Sequence, residues 1–396
     1  MAAGSPGMPL PTLMVVPTGI GCSVGGFAGD ALPSARLLAA ASGCLITHPN
    51  VMNGAALYWS DARIHYVEGS ALDRFASGDL ALRPVRGQRV GVLLDAGIES
   101  DLRLRHLQVV DGCRATLGLE LGPVVTTDAP LGVSLRQGES GASWGSLERP
   151  DALLRAGEQL RAAGATAIAV VARFPEDPES EALAAYRGGS GVDVLAGAEA
   201  VISHLLCAHL GIPCAHAPAL SPLELNPDLD PRAAGEELGT TFLPCVLVGL
   251  SRAPDLVPLS SAAPGHGFPG SVGPLLTADQ IGAVVVPSGA LGGEAVLACA
   301  ERGVPVIAVQ NPSVLAVTAE ALGLIEAGAT VIEASSYAEA AGFVLALREG
   351  ISPAALQRPL PQLRWCSTNA GRPSGGGVPP PGPWLRPDGT RPHPRC

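Results

Sequence analysis

Short apolar runs rich in valine, isoleucine and alanine alternate with amphipathic, helix-like stretches along almost the whole chain. The alternation begins with a strand-like run at Thr12–Pro17, a helical stretch at Asp30–Ser42 and a second run at Cys44–Thr47. Short strands that are nearly all apolar and are separated by helices are typical of a parallel sheet with helices on both faces. The pattern therefore predicts an α/β fold with doubly wound, mostly parallel sheets, arranged as two Rossmann-like lobes.

Composition along the chain predicts where these lobes begin and end. A stretch dense in glycine and serine has the composition of a linker, and a stretch rich in proline and glycine predicts a loop-rich insertion with one strand at Val246–Gly249. The end of the chain lacks periodicity, which is typical of disorder. The predicted units are an N-terminal extension (1–11), a first lobe (12–137), a linker (138–150), a second lobe (151–360) with its insertion (221–273), and a disordered tail (361–396).

Charge excludes several classes of function. The 396 residues contain 25 basic residues, all of them arginine, against 36 acidic ones, for a formal net charge of −11. The lack of lysine excludes a Walker-A lysine, a Schiff base and lysine-anchored pyridoxal phosphate. An acidic chain without a basic run favours neither nucleic acid nor an anionic membrane surface as a partner. A small molecule is the expected partner, and a homo-oligomer is left open.

The nine cysteines are scattered, odd in number and mostly set in apolar surroundings. This pattern predicts reduced, buried thiols in a reducing compartment rather than a disulfide framework. No apolar run reaches the roughly 18 residues needed to cross a bilayer. The first residues show neither the charged start nor the apolar stretch of a signal peptide.

The loops that follow strands are the expected functional segments, because ligands of open α/β sheets bind beyond the carboxyl ends of the strands. The first such loop, Pro17–Asp30, is rich in glycine and leads into a helix. Its backbone N–H groups could cradle an anion. The candidate ligand-binding residues there are Thr18, Gly19, Gly21, Gly25 and Gly26. The spacing is not GxGxxG, and no acidic residue ends the next strand, which disfavours a nicotinamide cofactor. A tight structural turn is the alternative.

The second loop, Thr47–Gly54, combines a histidine with two asparagines. His48 would move a proton, while Asn50 and Asn53 would orient the substrate. Asparagine next to proline or glycine is also ordinary turn chemistry, so a turn alone would explain both amides.

Histidine and cysteine are frequent in Ile202–Pro218, where a metal site has to be considered. At about 100° per residue on a helix, His204 and His209 would point roughly 140° apart, unlike the paired histidines of zinc proteases. We therefore assign no metal ligands. His216 ends the following strand, where a catalytic residue is expected, and buried structural histidines are the alternative.

A further glycine loop, Pro287–Glu294, again joins a strand to a helix. It lacks the GxSxG pattern of a nucleophile elbow, so an anionic ligand is the expected occupant. The strand after it ends in two amides that would enter the same face. The candidate ligand-binding residues are Ser288, Gly289, Gly292, Gly293, Gln310 and Asn311.

Two aspartates also end predicted strands. Asp95 is a candidate catalytic partner of a histidine, and Asp128 is a candidate ligand-binding residue. They would share a site with His48 only if their strands are neighbours. Capping of a helix or turn is the alternative.

Several of these segments resemble an uncharacterised family of cyanobacteria, algae and plants, catalogued only as a domain of unknown function. The resemblance covers about residues 12–360. It implies a chloroplast location in a eukaryote, with a cytoplasmic one as the alternative because no transit peptide is recognisable, and it implies no reaction or cofactor. A weaker resemblance, from Ser288 to Val306, is to the donor half of two-domain glycosyltransferases. The segments that carry the main resemblance are Val16–Gly21, Leu45–Val51, Leu102–Leu107, Ile202–His204 and Cys214–Pro218.

The leading hypothesis is an enzyme that acts on a small anionic metabolite, bearing a phosphate or carboxylate, by histidine-centred acid/base chemistry. The two glycine loops would meet at one edge of the sheet and hold the anion. His48 would move the proton, with Asp95 or His216 as its partner. Isomerase, lyase and hydrolase all stay open, and the cofactor is unknown. The alternatives are a non-catalytic ligand sensor on the same fold and a metal-dependent hydrolase or glycosyltransferase-like enzyme.

Overall fold

The computed structural model describes residues 7–54, 61–237, 242–259, 272–360 and 362. The predicted tail, 361–396, lies outside the described residues except for Gln362, and the N-terminal extension is described from Gly7. Residues up to Pro353 form one compact unit, and residues from Ala354 onward form a second. All strands and α-helices discussed below belong to the first unit.

Strands and helices alternate through most of the described chain, as the hydrophobic pattern predicts. The strands are β1 (Thr12–Met14), β2 (Leu45–Thr47), β3 (Ile64–Tyr66), β4 (Leu80–Arg83), β5 (Val90–Leu94), β6 (Leu121–Thr126), β7 (Val133–Gln137), β8 (Ser143–Leu147), β9 (Ala167–Arg173), β10 (Cys214–Ala219), β11 (Asp255–Pro258), β12 (Ala283–Pro287), β13 (Val306–Val309) and β14 (Val331–Ala334). The helices are α1 (Leu32–Ser42), α2 (Pro49–Met52), α3 (Gly69–Ser77), α4 (Ser100–Leu117), α5 (Pro150–Ala162), α6 (Glu181–Arg187), α7 (Ala196–Leu210), α8 (Pro231–Glu237), α9 (Leu243–Leu250), α10 (Glu294–Glu301) and α11 (Tyr337–Arg348).

The larger sheet has the strand order β14-β13-β12-β1-β2-β3, and every neighbouring pair is parallel. Its central strand, β1, is fully buried and pairs with β12 through Leu13 and Val284 and with β2 through Leu13 and Ile46. From β1 the chain adds β2 and β3 on one side, whereas β12, β13 and β14 extend the other side. The strand order therefore reverses between β1 and β12, where open α/β sheets place their ligand crevice.

The second sheet has the order β10-β9-β5-β6, and it is also wholly parallel. Helices flank the larger sheet, with α1 packed on α11 and α3 packed on α10. Two antiparallel pairs, β4–β11 and the β7–β8 hairpin, complete the described strands. The predicted doubly wound α/β architecture with mostly parallel sheets is confirmed.

The two sheets do not follow the predicted lobes 12–137 and 151–360. The larger sheet takes β1 to β3 from the first third of the chain and β12 to β14 from the last third, while the second sheet takes β5, β6, β9 and β10 from the middle. The predicted linker 138–150 contains β8, which pairs with β7. Composition reports local structure only, whereas this arrangement is set by the long-range pairing of β1 with β12.

The predicted strand at Val246–Gly249 is wrong, because these residues belong to α9. A short apolar run does not by itself distinguish a buried strand from a buried helix. Here Pro244 occupies the first helical turn, where its missing N–H costs nothing. The helix packs against β9, β10 and α4, so almost all of it is buried.

The described thiols agree with the prediction of reduced, buried cysteines, since all seven of them are buried and form no disulfide with one another. Within the described residues, no helix is long and apolar enough to cross a membrane.

Gly197, in the first turn of α7, lies directly against the backbone of Trp144 in β8, where a Cβ atom would overlap the Trp144 Cα. We expect Gly197→Ala to lower the free energy of unfolding by about 1–3 kcal/mol through overpacking. The matched control is Gly112→Ala in α4, where a Cβ meets no atom within 4 Å and helix propensity favours alanine by about 0.5–1 kcal/mol. Urea denaturation of both variants measures the difference, and equal midpoints would contradict the packing of α7 on the hairpin.

Candidate functional site

A cavity of about 1030 Å³ lies beyond the carboxyl ends of strands from both sheets. Residues after β1, β2, β3 and β12 line one part of it, and residues at the ends of β9 and β10 line another. Helices α6, α7 and α8 contribute further side chains. The volume is at the upper end of the range for small-ligand sites. Its position matches the crevice expected of a doubly wound sheet, so this cavity is the candidate site.

The two glycine loops lie at the same edge of the larger sheet, because β1 and β12 are parallel neighbours. The backbone N–H of Val24 donates to Asn311 Oδ1 at 2.9 Å, and that of Ser23 donates to the carbonyl of Pro312 at 2.9 Å. The segments 17–30 and 287–294 therefore leave the larger sheet at the same edge, as the sequence predicts.

The glycines of these loops are packed mainly against the protein itself. A Cβ on Gly19 would meet the Ser143 side chain, one on Gly25 would meet Val16, and one on Gly289 would meet the Leu315 carbonyl. By contrast, Gly293 has open space beside it and lines the cavity. Most of the predicted cradle thus serves close backbone packing.

The structure brings six of the predicted site residues to the cavity. These residues are Thr18, His48, Asn50, Asn53, His216 and Gly293. The others are not part of its described lining. They are Gly19, Gly21, Gly25, Gly26, Asp95, Asp128, Ser288, Gly289, Gly292, Gln310 and Asn311.

His48 lies at the end of β2, and its side chain supports the fold. Its Nε2 accepts a hydrogen bond from the backbone N–H of Val16 at 3.0 Å, and the residue is 8% exposed. Burial lowers the pKa of His48 to about 4, so the imidazole is neutral at physiological pH. The Nε2 lone pair that would accept a proton is already bonded to the N–H of Val16, two residues after β1.

Asp95 and Asn311 also hold loops together. Asp95 is 1% exposed and accepts backbone N–H groups from Gly97, Leu131 and Arg173 at 2.9–3.1 Å. Asn311 donates to the Val24 carbonyl at 2.8 Å in addition to accepting from its N–H. Such bonds satisfy buried backbone groups at the strand ends.

Asp128 lies on the surface instead of at the cavity. Its carboxylate forms an ion pair with Arg155 at 2.7 Å, and its side chain is 56% exposed. Arg155 also pairs with Asp151 at 2.8 Å. Both carboxylate oxygens of Asp128 accept hydrogen bonds from the Arg155 guanidinium, so the structure shows an exposed ion pair here instead of a ligand contact or a cap.

His216, on β10, is the predicted catalytic residue with the most suitable surroundings. Its Nε2 lies 3.4 Å from Glu199 Oε2 on α7, and its Nδ1 lies 3.2 Å from Ser203 Oγ. Glu199 and Ser203 are four residues apart on the helix, so both face the same strand. A carboxylate beside imidazole orients the ring and stabilises its protonated form.

Two carboxylates that the sequence analysis missed lie in the same cavity. Burial, followed by the negative charge of Glu199, raises the pKa of Asp193 above its ordinary value. Burial, followed by the charge of Asp193, likewise raises the pKa of Glu236. Glu236 accepts hydrogen bonds from the Ala28 N–H and the Tyr186 hydroxyl, both at 2.8 Å. The cavity therefore holds carboxyl groups that retain protons to higher pH than usual.

These residues carried no strong signal in the sequence. Asp193 follows a glycine-rich stretch, and Glu236 lies within the predicted loop-rich insertion, where acidic residues are ordinary on a solvated surface. Folding buries them because the loops after β9 and β10 cover the cavity. The one available signal is the spacing of Glu199 and Ser203 on a helix that precedes the His216 strand.

A further pair, of buried Glu68 with half-exposed His204, joins α3 to α7. Glu68 caps the start of α3 by accepting the Ser70 N–H at 3.0 Å, and its Oε1 lies 3.0 Å from His204 Nε2. Burial alone would raise the pKa of Glu68, but His204 and Ser70 outweigh burial and hold it below its ordinary value. His209 faces elsewhere and pairs with Glu158 at 2.8 Å.

No group of three or more His, Cys, Asp or Glu side chains is arranged to hold a metal ion within the part of the chain that the structure describes. His204 and His209 contact different elements, Glu68 at the start of α3 and Glu158 on α5, as their divergent directions on the helix predict.

Fold and site together define a doubly wound α/β protein with a large cavity at its strand ends, lined by many acidic residues. The chain belongs to the family described as protein of unknown function (DUF3326), whose model matches residues 11–357. It is 52% identical over 351 residues to an uncharacterized lipoprotein of Synechococcus sp. (strain ATCC 27144 / PCC 6301 / SAUG 1402/1). The aligned region covers 88% of this chain and 94% of that relative. No solved structure matches the chain significantly. The resemblance found in the sequence is thus confirmed.

The raised pKa values of Asp193 and Glu236 predict how stability depends on pH. The folded state keeps protons that the unfolded chain releases, so we expect the free energy of unfolding to fall as pH rises from 6.5 to 8. The slope is at most about 1.4 kcal/mol per pH unit for each extra proton. His48 is neutral in both states over most of this interval.

Urea denaturation across this pH interval measures the effect. Glu236→Gln removes one titrating group and should flatten the slope, whereas the exposed control Glu158→Gln should leave it unchanged. Equal slopes in Glu236→Gln and the unsubstituted protein would contradict the protonated cluster.

Proposed function

We propose that the protein is an enzyme that acts on a small metabolite by general acid/base chemistry in this cavity. The observation that carries the proposal is the His216–Glu199 pair beside the buried carboxyls of Asp193 and Glu236. Titratable groups whose surroundings drive their protonation apart are typical of acid/base sites. One cavity then places an imidazole beside carboxyl groups that keep their protons to higher pH than usual.

The geometry suggests a role for each group. We assign His216 the proton transfer at Nε2, and Glu199 Oε2, which lies 3.4 Å away, orients the ring. Glu236, with the Tyr186 hydroxyl on its Oε2 at 2.8 Å, is the candidate proton donor. His48 and Asn53 line the cavity in the loop after β2, where they position the ligand. Asn53 Oδ1 accepts the Tyr66 hydroxyl at 2.9 Å, so its amide nitrogen is oriented by that contact.

This proposal keeps histidine-centred chemistry and moves its centre from His48 to His216. Reaction type stays open among isomerase, lyase and hydrolase, and an anionic substrate stays a prediction. A ligand sensor on the same fold is the outcome if no turnover exists. The cyanobacterial relative supports a chloroplast setting as part of the proposal, because plastids share that lineage.

Turnover tests the role of His216. The purified protein is incubated with metabolite mixtures, and substrate depletion is followed by NMR spectroscopy. We expect His216→Asn and Glu199→Gln each to lower the rate at least about 100-fold, the usual contribution of a general acid or base. His209→Asn, which alters a surface histidine, should retain the rate. Full activity in His216→Asn would overturn the assignment, and lack of turnover in every mixture would favour the sensor.

His48 provides a separate test of the earlier assignment. His48→Ala leaves the buried Val16 N–H without its acceptor, so we expect the free energy of unfolding to fall by about 1–3 kcal/mol. The control His209→Ala, at an exposed site, should change it by less than about 0.5 kcal/mol. Unchanged stability in His48→Ala together with abolished turnover would return the chemistry to His48.

A further inference from the structure

Resting on the cavity of the proposed function, we propose that its ligand is a small organic cation: an amine with a hydrocarbon chain. Carboxylates would hold the charged end, and apolar side chains would contact the chain. This names a ligand class opposite in charge to the one that the glycine loops predict.

The charged residues around the cavity are mostly acidic. Its described lining includes seven glutamates, three aspartates and three histidines, and no arginine. Since the chain lacks lysine, arginine would be the only fixed positive charge available to an anion. A phosphate or carboxylate entering the cavity would therefore find no fixed positive charge on the described lining, which is costly where water is largely excluded.

The arginines nearest to the rim already neutralise particular carboxylates. Arg173 lies 2.7 Å from Glu176, and Arg187 lies 3.0 Å from Glu237. Arg232, behind the glycine loop, lies 2.7 Å from Asp30. These pairs leave the inner carboxyls Asp193, Glu199 and Glu236 without an arginine on the described lining.

Glu68 shows how a carboxylate of this cavity takes a cationic partner. The residue is 4% exposed and lines the cavity. The His204 Nε2 lies 3.0 Å from its Oε1 and is the cationic group that the structure places against this oxygen. An ammonium group supplies hydrogen-bond donors to carboxylate oxygens in the same way.

Apolar side chains occupy the space between the acidic groups. Leu72 on α3, Leu183 on α6, Leu220 after β10 and Phe242 before α9 all line the cavity. A fully hydrated inorganic cation would gain nothing from these contacts. A ligand that joins an ammonium group to a hydrocarbon chain uses both kinds of surface.

The raised pKa values of two cavity carboxyls are consistent with a cationic ligand. Asp193 faces Glu199 on α7 and His216 on β10, and Glu236 on α8 faces Tyr186 on α6 as well as Asp193. Because burial raises the pKa of both carboxyls, an ammonium ion entering among them would favour their charged forms and release protons. Cation binding should therefore be accompanied by proton release to the buffer.

Three probes of equal length and different charge test the proposal. Hexane-1,6-diamine, hexane-1,6-diol and adipate are added separately to the full chain at 0.15 M salt, and thermal unfolding is recorded. We expect the diamine to raise the melting temperature by at least about 2 °C at saturation, with no rise for the diol or adipate. Calorimetry in two buffers of different ionisation enthalpy should show proton release.

Replacing single carboxylates by amides of the same shape shows where the diamine binds. Asp193→Asn and Glu199→Gln should each abolish the diamine shift, while Glu158→Gln, which removes a surface carboxylate, should keep it. Melting temperatures without probe show that each variant is folded. A shift from adipate instead of diamine, no shift from any probe, or an undiminished diamine shift in both cavity variants would overturn the inference.

These outcomes are distinct from those of the proposed function. Turnover that depends on His216, without a diamine shift, would retain the enzyme and overturn the cationic ligand. A diamine shift that depends on Asp193 and Glu199, without turnover in any mixture, would retain the cationic ligand and overturn the enzyme.

Discussion

The pairing of the buried strand β1 with both β2 and β12 is the constraint on which the rest of the structure depends. It joins the beginning of the chain to a segment about 270 residues later, and it makes both neighbours parallel to β1. Because parallel strands end at one edge, the loops after all three strands are gathered there. The middle of the chain can then form a second sheet whose own strand ends close the same cavity.

The local pattern in the sequence was enough to predict the α/β class, the alternation of elements and the sheet edge at which the cavity lies. The prediction failed where the secondary structure of a segment, or the pairing of a strand, depends on residues far away in the sequence. The run at Val246–Gly249 is helical because α9 is buried against β9, β10 and α4, and its hydrophobicity alone allows either structure. The lobes were drawn as contiguous segments because composition carries no record of which strands pair.

The site was predicted well in place and less well in its chemistry. His216 reaches the cavity from the middle of β10, not from the end of the strand as the sequence analysis expected. The glycines and Asn311 hold loops together, since backbone groups at crowded strand ends need partners from within the chain. Asp193 and Glu236 were missed because burial, which changes their chemistry, is imposed by loops that look solvated in the sequence.

Burying several carboxyls beside Glu199 lowers stability, and such a cost is typical of sites that are kept for function. The central claim is that Asp193 and Glu236 are held protonated in the free cavity. The most direct measurement is an NMR titration of their side-chain carboxyl carbons. The account predicts midpoints well above the range of ordinary exposed carboxylates. Midpoints in the ordinary carboxylate range, near pH 4, would contradict it.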